Sequence, residues 1–303
     1  MKKLLVLLMA CLLVVAACGN KEEKTSNNDK VDFKLDNGKT IKIPKKPKRI
    51  VLMAPSYAGN LLALGVKPVG SDPYPFASNI LKDKLKGVEQ VKAGDVEKIA
   101  TLKPDLIISF DTDKNNKKYE KIAPTIPFKY EKHNYLDIHV LLGKIVGKEK
   151  EAQKFVDDWK AKTKKDGEEI KSHLGADKTY SIIQFFQKQV YVYGDNWGRG
   201  SEIIYQAFGL KMQDEVVKDV KKTGWKEISA EQISKYTGDI LLVSSDTGKI
   251  ASNVTDSNVW KNMDAVKNNH VVQYNSADYW FNDPISLEVQ RQDLKEKLLK
   301  LNK

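Results

Sequence analysis

Cysteine is almost missing from this chain. The 303 residues hold two, Cys11 and Cys18, both near the N-terminus. Everything after residue 18 therefore lacks a disulfide, a thiolate nucleophile and a thiolate metal ligand. Histidine is scarce too: His133, His139, His173 and His270. His133 and His139 stand six apart, a poor match to one helical face, and the other two are remote in sequence. A zinc or manganese carrier needs clustered His and carboxylate ligands, so direct metal binding is not expected, and each histidine reads as a surface or capping residue. No axial haem ligand stands out. There is no Gly-x-Ser-x-Gly elbow, since Gly198-Arg199-Gly200-Ser201-Glu202 lacks the pattern, and no distinctive carboxylate pair. A secreted enzyme is kept only as the alternative from another class. Arginine is limited to Arg49, Arg199 and Arg291, although the formal net charge is +11. The lysines are scattered among acids, so nucleic acid is not the expected partner; the charge describes a solvated surface.

What is present begins at the N-terminus. Met1-Lys2-Lys3 and the apolar run Leu4 to Val15 are too short to span a bilayer, and they end in Val15-Ala16-Ala17-Cys18. Small residues before a cysteine resemble the lipobox of a bacterial lipoprotein signal. That resemblance implies cleavage before Cys18, diacylglycerol on its sulfur, and lipid-anchored display on the extracellular face of the cytoplasmic membrane. An ordinary secretory signal with an incidental Cys18 is the other reading. Residues 1–17 are then signal peptide, and the polar stretch 18–33 is a flexible tether. Loss of Lys2 and Lys3 lowers the net charge by two.

The remaining chain repeats itself. Glu97-Lys98-Ile99 leads, eight residues on from Glu97, to Asp105 and the apolar run Leu106-Ile107-Ile108. Glu231-Gln232-Ile233 leads by the same step to Asp239 and Ile240-Leu241-Leu242. Each copy predicts a short helix, a tight turn at Pro104 or Gly238, and a buried strand. Asp95 and Ser229 cap the two helices, and Ser229 with Gln232 forms a capping box. Leu62-Ala63-Leu64-Gly65-Val66-Lys67 and Gln206-Ala207-Phe208-Gly209-Leu210-Lys211 form a second matched pair. Two related α/β lobes imply a cleft between them.

Asp36-Asn37-Gly38 predicts a hairpin turn. Arg49 to Met53, Pro68 to Ser71, Val88 to Val91 and Leu106 to Phe110 predict strands alternating with helices, hence a mostly parallel sheet. Ser56 is expected to cap a helix running to Leu64. Asn134 to Val146 predicts a helix, and Glu149 to His173 one long helix of roughly 35–40 Å. The fold class is α/β: two Rossmann-like lobes with mostly parallel sheets joined by that single helix. The expected boundaries are 34–147 for the N-terminal lobe, 148–174 for the connecting helix and 175–303 for the C-terminal lobe.

The lipobox, the doubled Glu-x-Ile unit, Ala123-Pro124-Thr125-Ile126, the long helix and Trp260…Ala265-Val266-Lys267-Asn268-Asn269 resemble the iron-siderophore and cobalamin binding proteins of ABC importers. The ferric-hydroxamate-binding lipoproteins of Gram-positive bacteria are the nearest group. The resemblance implies a shallow cleft, capture of a ferric siderophore, and delivery to an ABC permease with its ATPase. It also implies that one glutamate on each lobe, here Glu97 and Glu231, docks on arginines of a two-fold permease. Helix-dipole stabilisation is the alternative role for both. A monomer is expected, with no intrinsic cofactor and Fe(III) carried only within its siderophore.

The residues themselves favour a hydroxamate. Three hydroxamates neutralise Fe³⁺, so recognition needs aromatic surface and a donor more than net charge. Tyr130, Tyr191, Trp197, Arg199 and Trp280 supply these, Arg199 as a planar fork of donors. Catecholate or citrate-type chelates are anionic and call for several basic groups; with haem and cobalamin they are the alternative ligands. Trp159, spaced on a helix, is assigned to the core.

Overall fold

A computed structural model describes residues 29–302 apart from 131, 221 and 247. The signal peptide 1–17, the anchor Cys18 and most of the tether lie outside the described residues. Strand β1 (Lys30–Lys34) begins within the stretch expected to be tether. It pairs antiparallel with β2 (Thr40–Pro44) around the Asp36–Gly38 turn. Phe33 and Ile43 anchor this hairpin in the N-lobe core, so β1 belongs to the lobe rather than to a tether.

The N-lobe sheet is parallel throughout. Its strands are β3 (Ile50–Leu52), β4 (Gly70–Ser71), β5 (Glu89–Gln90), β6 (Leu106–Phe110) and β7 (Thr125–Phe128), ordered β5-β4-β3-β6-β7. Ile50, Leu52, Leu106 and Ile108 join one core cluster while Val51 and Ile107 join another, as a sheet covered on both faces requires. Between β3 and β4 lies helix α1 (Ala58–Ala63), preceded by a tight turn at Pro55–Tyr57. Ser56 does not cap it: no side-chain hydrogen bond closes either start, because the chain enters through that turn.

The C-lobe sheet is mixed. It holds β8 (Thr179–Phe186), β9 (Gln189–Tyr193), β10 (Lys211–Met212), β11 (Trp225–Ile228), β12 (Ile240–Ser245) and β13 (Val271–Asn275). The order is β11-β9-β8-β12-β13, with β10 also beside β8. Only β9 runs against its neighbours, in a hairpin with β8.

Two helices span the lobes. Helix α3 (Tyr135–Ile145) is capped by Asn134, whose side chain accepts from the amides of Leu136 and Asp137. It leads into α4 (Glu149–Leu174), 26 residues long, or about 39 Å at 1.5 Å each. Ala152, Val156, Trp159, Thr163, Gly167, Ile170 and Leu174 form its buried stripe. Ala152 packs in the N-lobe core, whereas Trp159 and Ile170 pack in the C-lobe core. Gly167 would cost about 1 kcal/mol against alanine in an open helix. Here a Cβ would overlap the Phe208 carbonyl, so glycine permits close packing. The closing helix α6 follows a shorter α5 (Ile233–Tyr236) and runs Pro284–Leu299. Its capping Asp283 sits against Gly59 of α1, so the C-terminal segment reaches back onto the N-lobe.

The doubled motif has a structural reason. Asp105 accepts the backbone N–H groups of Lys48 (2.7 Å) and Arg49 (2.9 Å), just before β3. Asp239 accepts the N–H and hydroxyl of Thr179, both at 2.8 Å, at the start of β8. Each aspartate thus fastens its own strand to the neighbouring one. The paired glycine-ended segments diverge: Ala58–Ala63 is α-helical, but Glu202–Ala207 is a π-turn, with the Phe208 N–H reaching the Ile203 carbonyl. His139 is not at the surface as expected. It is buried, bonded through Nδ1 to Asn60 Oδ1 (3.1 Å), and packed edge-on against Phe155.

Candidate aromatic binding cleft

The chain has three arginines, and the fold employs two of them structurally. Arg49 donates to the carbonyls of Leu102 and Lys103 at the end of α2 (Val96–Thr101). Arg291 is buried in an ion pair with Asp166, joining α6 to α4. Arg199 alone is aimed elsewhere. Its Nε donates to Gln184 Oε1 (3.2 Å) and its Nη1 to the Trp197 carbonyl (2.8 Å), and the guanidinium lies 5.1 Å from the centre of the Tyr193 ring. Among the described residues Nη2 has no protein acceptor. A planar donor fixed on an aromatic face and left unsatisfied is suited to a ligand oxygen.

The loop that carries Arg199 is strained. Trp197, Gly198, Arg199 and Gly200 all have positive φ, at 87°, 73°, 58° and 82°. For the two residues with side chains this costs about 1–2 kcal/mol each. Several bonds hold it. Arg199 N–H donates to the Tyr279 carbonyl (2.6 Å), and Tyr274 O–H donates to the Arg199 carbonyl (2.7 Å). The carboxylate of Glu202, 3% exposed, accepts from Gly198 N–H (3.0 Å), the Ser201 hydroxyl (3.1 Å) and Asn282 Nδ2 (3.0 Å). Gly224 lies under the Trp197 indole, where a Cβ would overlap the ring.

Aromatic side chains surround this loop. Tyr130, 43% exposed just after β7, meets Trp197 edge-on across the lobes at 5.9 Å and packs on Phe110 at 5.1 Å. Tyr191, on β9, donates its hydroxyl to Gln189 and packs edge-on against Trp225, itself 39% exposed. Trp280 stacks on Tyr74, 5.6 Å apart and within 8° of parallel, and its buried Nε1 has no acceptor among the described residues. Tyr74 is 46% exposed on the N-lobe. Burial raises the Tyr74 hydroxyl pKa, and the positive charge of Arg199 facing it opposes that rise. Tyr193 shows the same balance beneath the guanidinium.

Tyr130, Trp197 and Arg199 therefore form one contiguous set, Tyr191 joins it through Tyr193, and Trp280 stands on the Tyr74 side. Sequence reasoning missed Tyr74, Gln184, Tyr193, Trp225 and Glu202. Tyr193 was findable, two residues beyond Tyr191 on the same face of a strand. Two concavities lie elsewhere. One, about 520 Å³, is lined by Trp159, Lys160 and Gln206; the other, about 570 Å³, lies beside the hairpin. Neither is lined by Arg199, Tyr130, Tyr191, Trp197 or Trp280.

Glu97 and Glu231 are both exposed, each in the first turn of a short helix. Asp95 caps the first and the Ser229–Gln232 capping box closes the second. A hydrogen bond from Ser229 holds the Glu231 carboxyl below its ordinary pKa. Both helices follow a strand and precede a parallel one, β6 or β12, so both glutamates stand at the C-terminal edges of the sheets. Tyr74 and Tyr130 follow β4 and β7 at the same edge.

Two α/β lobes connected through the 26-residue helix α4, with an aromatic cleft centred on an arginine, define a substrate-binding protein. Residues 50–277 match the family model for periplasmic binding proteins, and the chain belongs to that family. It is 39% identical over 274 residues to the iron(3+)-hydroxamate-binding protein FhuD of Bacillus subtilis (strain 168), spanning 88% of this chain and 86% of that protein. The FhuD protein from S. pseudintermedius superposes with a TM-score of 0.85 at 45% identity, over 90% of this chain and 99% of that one. FhuD2 from Staphylococcus aureus with bound ferrioxamine B gives 0.80 at 48% identity, over 85% and 100%. These relatives are binding proteins rather than enzymes.

Proposed function

We propose that this protein captures ferric hydroxamate siderophores in the cleft around Arg199 and delivers them to an ABC permease for iron uptake. One observation carries the ligand class. The cleft offers an arginine whose Nη2 has no acceptor among the described residues, set among tyrosine and tryptophan faces. A neutral iron core with hydroxamate oxygens on its rim and methylene arms around it matches that surface. The hydroxamate ligands of the relatives support the same reading.

Tyr130, Tyr191, Trp197, Arg199 and Trp280 contact the ligand in this account. The iron arrives and leaves inside its chelator, as cargo. Cys18 carries the lipid that holds the protein on the outer face of the membrane, and the lobes are 30–147, with the β1 strand included, and 175–303 about the helix 148–174. Glu97 and Glu231, one per lobe and on the cleft-side edges, dock on the permease, whose ATPase drives transport. A pseudo-symmetric pair of charges suits a two-fold partner, and such pairs set orientation and encounter rate.

Equilibrium dialysis of purified protein against a ferric tris-hydroxamate tests the reading. The protein should bind one complex per chain and return it chemically unchanged. Turnover of the chelator, or no retention of it, would refute the proposal.

A further inference from the structure

The N-lobe sheet has a second edge, opposite the cleft. There β5, β4, β3 and β6 each start shortly after an exposed lysine: Lys86, Lys67, Lys48 and Lys103. These strands are neighbours in that order, at about 4.8 Å spacing, so the lysines form a row about 15 Å long. Two contacts fix the row. Lys67 Nζ donates to the Lys86 carbonyl (2.9 Å), and the Arg49 side chain donates to the Lys103 carbonyl (3.1 Å). Lys45 and Lys46, also exposed, extend it toward Gly147.

Little neutralises this charge. The Asp105 carboxylate is engaged by backbone N–H groups, and Asp83 pairs with Lys86. Lys45, Lys46, Lys48 and Lys103 have no ion-pair partner among the described residues. The matching edge of the C-lobe carries fewer free lysines. There Lys211, at the start of β10, has no ion-pair partner among the described residues, but Lys178 is paired with Asp239, and His270 is bonded to the Asn302 carbonyl.

The chain enters the fold at the basic edge. Lys45 N–H donates to the carbonyl of Asp29, the first described residue (2.8 Å). Cys18 stands eleven residues earlier, a reach of at most about 40 Å.

We propose that the lysine edge rests on an anionic phospholipid surface. The placement of the chain's entry beside the row is what selects a membrane over other polyanions, because an anchor at Cys18 would hold this edge close to headgroups. A lipid chain together with a polybasic patch makes a two-signal attachment, and each lysine at an anionic surface adds to it. The cleft, on the opposite edge, then faces outward and open to ligand. Docking of Glu97 and Glu231 requires the molecule to turn over on its tether. The orientation rests on lipid attachment at Cys18; the binding test is independent of it.

The test uses the chain from residue 18 onward with Cys18→Ser, so that no lipid contributes. Co-sedimentation is measured with phosphatidylcholine vesicles, with and without phosphatidylglycerol, at low salt. Binding is expected only with phosphatidylglycerol, and is expected to fade as salt rises. Each of Lys45→Ser, Lys46→Ser, Lys48→Ser and Lys103→Ser should lower the partition coefficient about fivefold. The combined variant should keep wild-type affinity for a ferric hydroxamate, which reports correct folding. Equal partition of wild type and combined variant would overturn the proposal. So would capture of soluble polyphosphate without binding to the vesicles, which would assign the row to a polymer.

Discussion

Glu202 is the residue whose removal should reach furthest through the cleft. It is buried, has no cationic partner among the described residues, and ties the Trp197–Gly200 loop to Asn282, two residues beyond Trp280. In Glu202→Ala the N–H of Gly198 and the Asn282 amide lose a charged acceptor, at about 1.5–3 kcal/mol each. The buried carboxylate's own desolvation cost disappears with it, so the net loss of stability should be about 2–3 kcal/mol. The loop's left-handed residues then lose part of what opposes their strain of about 1–2 kcal/mol each. A relaxed loop must be re-ordered by the ligand, which should weaken binding roughly ten- to a hundredfold. The assays are thermal unfolding by circular dichroism and titration with a ferric tris-hydroxamate. A double-mutant cycle with Arg199→Ala separates positioning from general damage. If Glu202 acts through the loop, its effect on affinity should shrink when Arg199 is already gone. A folded Glu202→Ala protein with wild-type affinity would refute the reasoning, as would full additivity with Arg199→Ala.

Arg199→Ala removes a charge-assisted hydrogen bond and should weaken ferric hydroxamate binding about ten- to more than a hundredfold, and Trp197→Ala should cost a comparable factor; unchanged affinity in both folded variants would remove them from the site. The Glu97→Ala, Glu231→Ala double variant should bind ligand normally and melt close to wild type, yet fail to support uptake in cells; normal uptake by a properly displayed double variant would return both residues to helix-terminus roles. His139 sets a pH dependence. Burial holds its pKa near 4, below the ordinary 6.5. The unfolded chain therefore takes up the proton first, so the contribution of neutral His139 is full above about pH 6.5 and is lost as pH falls toward 4. It should approach about 3 kcal/mol, and a control without that imidazole, His139→Gln, should show a shallower fall in melting temperature over that window; an identical slope would contradict the assignment.

The elements legible in the sequence were those with an unbroken local signal. The stripe Ala152, Val156, Trp159, Ile170 announced α4, and the runs at Leu106 and Ile240 announced two central strands. Asp95 and Ser229 cap the helices they were expected to cap. The π-turn after Ser201 was not legible, because its spacing imitates an α-helix and the wider hydrogen-bond step, as from Phe208 N–H to the Ile203 carbonyl, is not written in residue types. His139 was misplaced because its burial depends on Asn60, 79 positions away in sequence. In the cleft, Trp197 and Arg199 were visible as bulky residues among glycines. Tyr74 and Gln184 were not, since each gains meaning only from a partner on a distant segment, Trp280 and Arg199.

The central claim is that the cleft selects a neutral, hydroxamate-ligated iron. Tryptophan fluorescence tests it most directly, since Trp197, Trp225 and Trp280 all border the site. The protein should be titrated in parallel with ferric tris-hydroxamate, ferric catecholate, ferric citrate, haem and cobalamin. Saturable one-to-one quenching by the tris-hydroxamate alone is the predicted result. Equal or tighter saturation by an anionic catecholate or citrate complex would contradict it.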